Sequence, residues 1–162
     1  LAAASKNENL NFELCKNVLV KPFEGCAKVL PDGRVKAYPD PGTGGHPWTI
    51  GYGSTGPDIN PDTIWTMEQC EKGLDEHMEY FYVGVMKLCP GLKDELPRRQ
   101  AAVLSWAYNC GLGNLRISTF RKRINEKNWE EAALECLKWD KAAGRVLKGL
   151  TRRRQAESLL LK

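Results

Sequence analysis

The chain has 162 residues, 42% of them hydrophobic and 27% charged, which is ordinary for one globular domain with room for a sizeable core. Its formal charge of +4 suits an anionic polymer partner without selecting one. No apolar run reaches the length of a bilayer span, and two histidines with no C-x-x-C pair argue against a zinc site. Six widely spaced cysteines, Cys15, Cys26, Cys70, Cys89, Cys110 and Cys136, fit buried thiols or one to three disulfides made in an oxidising compartment.

Residues 1–8 are small and polar and read as a disordered, processed or engineered start that lacks an initiator Met. An upstream signal or anchor is compatible with it. Residues 9–162 read as a single domain. From Asn9, the spacing of Leu10, Leu14, Val18, Leu19 and Phe23 predicts a helix, with Pro22 bending its last turn. Glu24 then sits at the helix end before Gly25, a residue suited to the left-handed position that terminates helices. Lys36–Tyr38 and Trp48–Ile50 read as short strands, and Pro31-Asp32-Gly33 as a hairpin tip. Asp40-Pro41-Gly42 marks a further turn.

Pro57 to Pro61 reads as a loop. Thr66 followed by Gln69 reads as a capping box, opening a helix whose stripe is Cys70, Leu74, His77, Met78, Phe81 and Val85. Cys89-Pro90-Gly91 ends it. Glu95 to Cys110 is apolar on most faces and is expected at the centre of its lobe. Gly111 to Asn114 breaks that run, Ser118-Thr119 starts another helix, and Asn128 caps the next. Gly144 to Gly149 reads as a connector before a final helix, in which Arg152-Arg153-Arg154 is expected on a solvated or salt-bridged face.

The order Glu24-Gly25, Ala37-Tyr38-x-Asp40 and Trp48-Thr49-Ile50-Gly51-Tyr52-Gly53 resembles the phage-type lysozymes, the glycoside hydrolase family 24 muramidases of tailed phages. Trp106-x-Tyr108-Asn109-x-Gly111, Ser118-Thr119-Phe120 and Gly149-Leu150-Thr151-Arg152-Arg153 extend the resemblance over most of residues 9–161. It implies a lysozyme-like α+β fold, a small β-rich lobe and a larger all-helical C-terminal lobe with a cleft between them. It also implies Glu24, Asp40 and Thr49 as catalytic residues, with Tyr38, Trp48, Tyr52 and Asn109 as substrate contacts and no metal or cofactor. Bacterial peptidoglycan is the implied partner, rather than nucleic acid or membrane. The implied protein is a monomer acting at the periplasm or cell wall of a phage host.

The residues read the same way. A glycosidase needs a proton donor and a second carboxylate. Glu24 beside Phe23 would hold its proton through burial, Asp40 in a polar turn would stay ionised, and Thr49 would position a water. An inverting separation of about 6.5–9.5 Å between the carboxyls is expected. The Lys28–Val35 insertion supplies a rival carboxylate, Asp32, expected in solvent at its hairpin tip, and Gly42–Gly45 lengthens the Asp40–Thr49 segment. The competing activities are a lytic transglycosylase, which needs no water-activating Asp, and a non-catalytic cell-wall-binding module.

Overall fold

The computed structural model describes residues 6–41 and 43–162. Residues 1–5 and Gly42 lie outside the described residues, while Lys6–Glu8, read from sequence as part of a disordered start, already belong to the first helix. The chain divides into two compact units, residues 24–79 and residues 1–23 with 80–162. The fold class is α+β, as expected.

In the larger unit, α1 (Lys6–Leu14) passes into a π-helical segment, Cys15–Val20, and then a single turn, α2 (Lys21–Glu24). The residues buried here are Asn11, Cys15, Leu19 and Val20, while Leu10 and Val18 are exposed. Of the expected stripe, Leu19 is buried as predicted, while the places of Leu10, Leu14 and Val18 are taken by Asn11 and Cys15, one position on. Asn11 fills the inward site because its amide bonds the buried Gln100 side chain. The π-helical turn then changes the angular spacing before Glu24, consistent with the irregularity expected near Pro22.

Helix α4 (Pro97–Cys110) is the core of this unit, with every residue from Gln100 to Ala107 buried. Trp106 packs 5.0 Å from both the Phe120 and Trp139 rings, an arrangement that adds to its area burial. Around it lie α5 (Leu112–Ile117), α6 (Thr119–Asn125), α7 (Trp129–Leu137) and α8 (Lys148–Leu161). Ser118 Oγ accepts from the Arg121 amide, and Asn128 Oδ1 accepts from the Glu131 amide, so both predicted helix starts are capped.

Two expectations change in this unit. Arg153 and Arg154 are salt-bridged, one of the two expected readings, but buried instead of on a surface face: both are ion-paired to buried Glu157, which also accepts from Ser105 Oγ at 2.6 Å. Burial pushes the Glu157 carboxyl up, against the pull of the two guanidinium groups and the Ser105 hydroxyl. The predicted connector before α8 overlaps an exposed hairpin, Lys141–Ala142 paired with Arg145–Val146. Ala143 and Gly144 both take positive φ at its tip, as two-residue hairpin turns require, but Ala-Gly lacks the Asn-Gly or Asp-Gly wording that announces one.

The smaller unit is built from turns held by four two-residue strands. Here β1 (Val35–Lys36) pairs antiparallel with β4 (Ile64–Trp65), and β2 (Thr49–Ile50) with β3 (Ser54–Thr55). Bridges at Val29–Val35 and Tyr38–Thr49 extend them. The unit is closed by the first half of α3 (Met67–Leu88), whose Cys70, Leu74, Met78 and Val85 are buried as its stripe predicts. Its start is the predicted capping box: the Gln69 amide donates to Thr66 Oγ1 at 3.1 Å, and the Thr66 amide donates to Gln69 Oε1 at 2.8 Å.

Candidate active site

Glu24, Tyr38, Asp40, Trp48 and Thr49 all belong to the smaller unit or its first residue. Glu24 is the last residue of α2, and Gly25 follows with φ +66°, the left-handed turn that redirects the chain. Contrary to the burial expected beside Phe23, the Glu24 side chain is exposed and Phe23 is half-buried. One helical turn after a π-helical segment offers too little neighbouring surface to cover the carboxylate.

Asp40 is fixed by its turn. Its Oδ1 accepts from the Thr43 amide at 3.0 Å, its own amide donates to the Gly45 carbonyl at 3.0 Å, and its carbonyl accepts from the Gly44 amide at 2.8 Å. Such an Asx-type bond holds a side chain in one rotamer beside a loop. Tyr38 and Thr49 exchange both backbone hydrogen bonds at 2.9 Å, which sets the Asp40 turn and the β2 strand side by side. Thr49 is 9% exposed, and its hydroxyl donates to the Pro47 carbonyl at 3.3 Å, leaving the oxygen lone pairs to accept.

The Tyr38 phenol relates the two carboxylates. It is pushed up first by burial, and then by the negative charges of Glu24, the Cys26 thiolate form and Asp40. Glu24 and Asp40 therefore both act electrostatically on one half-buried hydroxyl. Asp32 stands apart at the hairpin tip, 52% exposed, with its carboxylate 2.7 Å from Arg34 Nε. The Arg34 backbone amide, and then its guanidinium, hold that carboxyl below the usual range.

The remaining expected contacts divide. Trp48 is half-buried beside Thr49. Tyr52, expected against substrate, is instead 7% exposed; its phenol is raised by burial and by Glu71, to which its hydroxyl also bonds. Asn109 belongs to the larger unit, exposed at the end of α4, where its Oδ1 accepts from Arg154 Nη2 at 2.8 Å.

Two supports were not legible along the chain. Gly51, at φ +63°, sits where a Cβ would lie 3.0 Å from both Cβ and Sγ of Cys70, so β2 turns directly onto α3. Cys26 and Cys70 meet thiol to thiol beneath this turn. The positive-φ glycine in Gly-Tyr-Gly was a signal for the turn, but its partner lies nineteen positions away at Cys70.

The phage lysozyme family model matches residues 21–157, a span that contains every one of these site residues. The chain belongs to the phage lysozyme family. It is 41% identical over 143 residues to an endolysin of Bacillus phage B103, covering 88% of this chain and 50% of that protein. The chain thus spans about half the length of the first curated relatives it matches. Among solved structures, an endolysin from Escherichia coli O157:H7 phage FAHEc1 is similar at a TM-score of 0.72 and 26% identity, covering 99% of this chain and 96% of that one. The muramidase domain of SpmX from Asticaccaulis excentricus is similar at 0.70 and 27%, covering 98% of each chain.

Proposed function

We propose that this phage lysozyme family member is a peptidoglycan hydrolase, cleaving the β-1,4 bond between N-acetylmuramic acid and N-acetylglucosamine in the bacterial wall. The observation that carries the reading is that Glu24 and Asp40 both act electrostatically on the Tyr38 hydroxyl, with Thr49 bonded to Tyr38 through the backbone. Family membership, and the words endolysin and muramidase in the names of similar proteins, support it.

In this reading Glu24 is the general acid. Its side chain is exposed, where a bound glycan strand can meet it and the glycosidic oxygen can take the proton. Asp40, held by the Thr43 amide, acts as the base on water from the opposite face of the sugar. Thr49 Oγ1 already donates to Pro47, so it accepts from that water and orients it toward the anomeric carbon. Tyr38 and Trp48 line the substrate, and inversion at the anomeric carbon follows. The protein acts as a monomer at the periplasmic face of the wall.

Clearing of outer-membrane-stripped bacteria, followed by mass spectrometry of the soluble fragments, tests this. Reducing N-acetylmuramic acid ends are expected. Fragments with 1,6-anhydro ends would assign a lytic transglycosylase, and wall binding with no fragments would assign a non-catalytic module.

A further inference from the structure

The smaller unit carries a second concavity, none of whose lining residues belongs to the site just described. Two depressions of about 250 and 230 Å³ both include Trp65, Gly73 and Glu76, so the indole and this carboxylate border each of them. Each is below the roughly 300–1,000 Å³ of pockets for drug-sized ligands and has room for a ring-sized unit.

Residue 73 has no side chain, so Ser54 and Trp65 pack directly onto its backbone at the floor of this groove. A Cβ there would lie 2.7 Å from Ser54 Oγ and 3.2 Å from the Trp65 ring. Ser54 lines the larger depression, is 3% exposed, and its hydroxyl has no hydrogen-bond partner among the described residues. A buried hydroxyl without a partner costs stability unless something else satisfies it. Asp58 adds a second carboxylate to the larger depression, and Lys72 adds a cationic donor to the other.

An aromatic face, two carboxylate acceptors and a hydroxyl suit a pyranose ring, whose C–H face covers the indole while its hydroxyls donate to the carboxylates. Lys72 can donate to an acetamide carbonyl. Two adjoining depressions along one indole suit two consecutive rings of a linear chain. We propose that this groove is an accessory subsite for a glycan strand, taking two consecutive N-acetylated pyranose units along Trp65. The proposal rests on the glycan-cleaving reading above. It adds a second point of attachment, so that a polymeric wall is held at two places while a short oligosaccharide uses one.

The test is residue-resolved NMR of Glu24→Gln protein titrated with N,N′,N″-triacetylchitotriose. Shifts at the Trp65 indole N–H and the Ser54 and Gly73 amides are expected, alongside shifts at Tyr38 and Thr49. Gly73→Ala drives a methyl against Ser54 Oγ and the Trp65 ring, displacing the groove's floor, and should abolish only the first set. Because that variant crowds Ser54, Glu76→Ala on the exposed rim is the second, expected to weaken the Trp65 response about tenfold. Shifts confined to Tyr38 and Thr49 would overturn the subsite and leave the proposed function standing. Shifts confined to Trp65 would support the subsite and count against the proposed active site. No shifts at either place would overturn the subsite.

Discussion

Asp32 and Asp40 separate at the level of single hydrogen bonds. Asp32 lies at an exposed tip and spends its carboxylate on Arg34, whereas Asp40 is clamped by Thr43 and shares the electrostatic environment of Tyr38 with Glu24. Asp32→Asn should leave wall clearing within a few-fold of wild type. Asp40→Asn should lower it by about 10²–10⁴-fold, the range for a general acid or base. Initial clearing rates of the two variants at equal folded concentration decide between them, and exchanged phenotypes would make Asp32 the partner. The cysteines also differ in kind. Cys26 and Cys70 are in thiol contact, and burial followed by the Cys26 charge pushes Cys70 up to about 11. At pH 8 only about 10⁻³ of such a thiol is thiolate, so alkylation of reduced Cys70 should be slow and quicken as pH rises. With glutathione disulfide as oxidant, the two thiols surrender two protons and two electrons, form one S–S bond and release two glutathione molecules. Peptide mapping should then recover a Cys26–Cys70 crosslink, and six alkylated cysteines after that treatment would contradict the pairing.

At the scale of elements, what the sequence announced was local chemistry. Thr66 with Gln69, Ser118, Asn128 and the Pro31-Asp32-Gly33 tip each form the cap or turn their letters predict, because each depends on neighbours within a few residues. What escaped it was angular or non-local. The buried face runs through Asn11, Cys15 and Leu19, so Leu19 is buried as predicted while Leu10 and Val18 are not, and the polar Asn11 that turns inward onto Gln100 is not marked by a count of apolar letters. The order of Glu24, Asp40 and Thr49 was legible by resemblance, but the exposure of Glu24 and the covering of Tyr52 depend on contacts the letters do not encode. The β2–β3 hairpin gives this scale its prediction. Gly51 combines positive φ with direct approach to Cys70, so Gly51→Ala adds strain of about 1–3 kcal/mol and an overlap with the Cys70 side chain. Denaturant unfolding should show a loss of at least that size. A neutral result would mean that β2 can lift from α3 without cost.

At the scale of the whole molecule, the larger unit rests on a charge cluster inside its core. Arg153, Arg154 and Glu157 are all nearly inaccessible, and Ser105 completes the set from α4. Three successive arginines gave the pattern of a surface face, and only the placement of Glu157 and Ser105 against α4 turns two of them inward. Removing one member leaves buried charge without compensation, at about 3–5 kcal/mol. Glu157→Ala should lower the chemical unfolding free energy by that amount, and a loss under about 1 kcal/mol would contradict the cluster's structural role. The smaller unit, by contrast, is organised around the candidate site, with turns and two-residue strands fixing Asp40 and Thr49 and a single helical turn presenting Glu24. The central claim is that Glu24 supplies the proton that breaks the glycosidic bond. Its most direct test is the clearing rate of Glu24→Gln protein on outer-membrane-stripped cells, with thermal unfolding recorded on the same sample. An exposed side chain should tolerate the change, so unfolding should stay at the wild-type temperature while clearing falls by about 10²–10⁴-fold or more. Clearing within a few-fold of wild type by a normally folded Glu24→Gln protein would contradict the account.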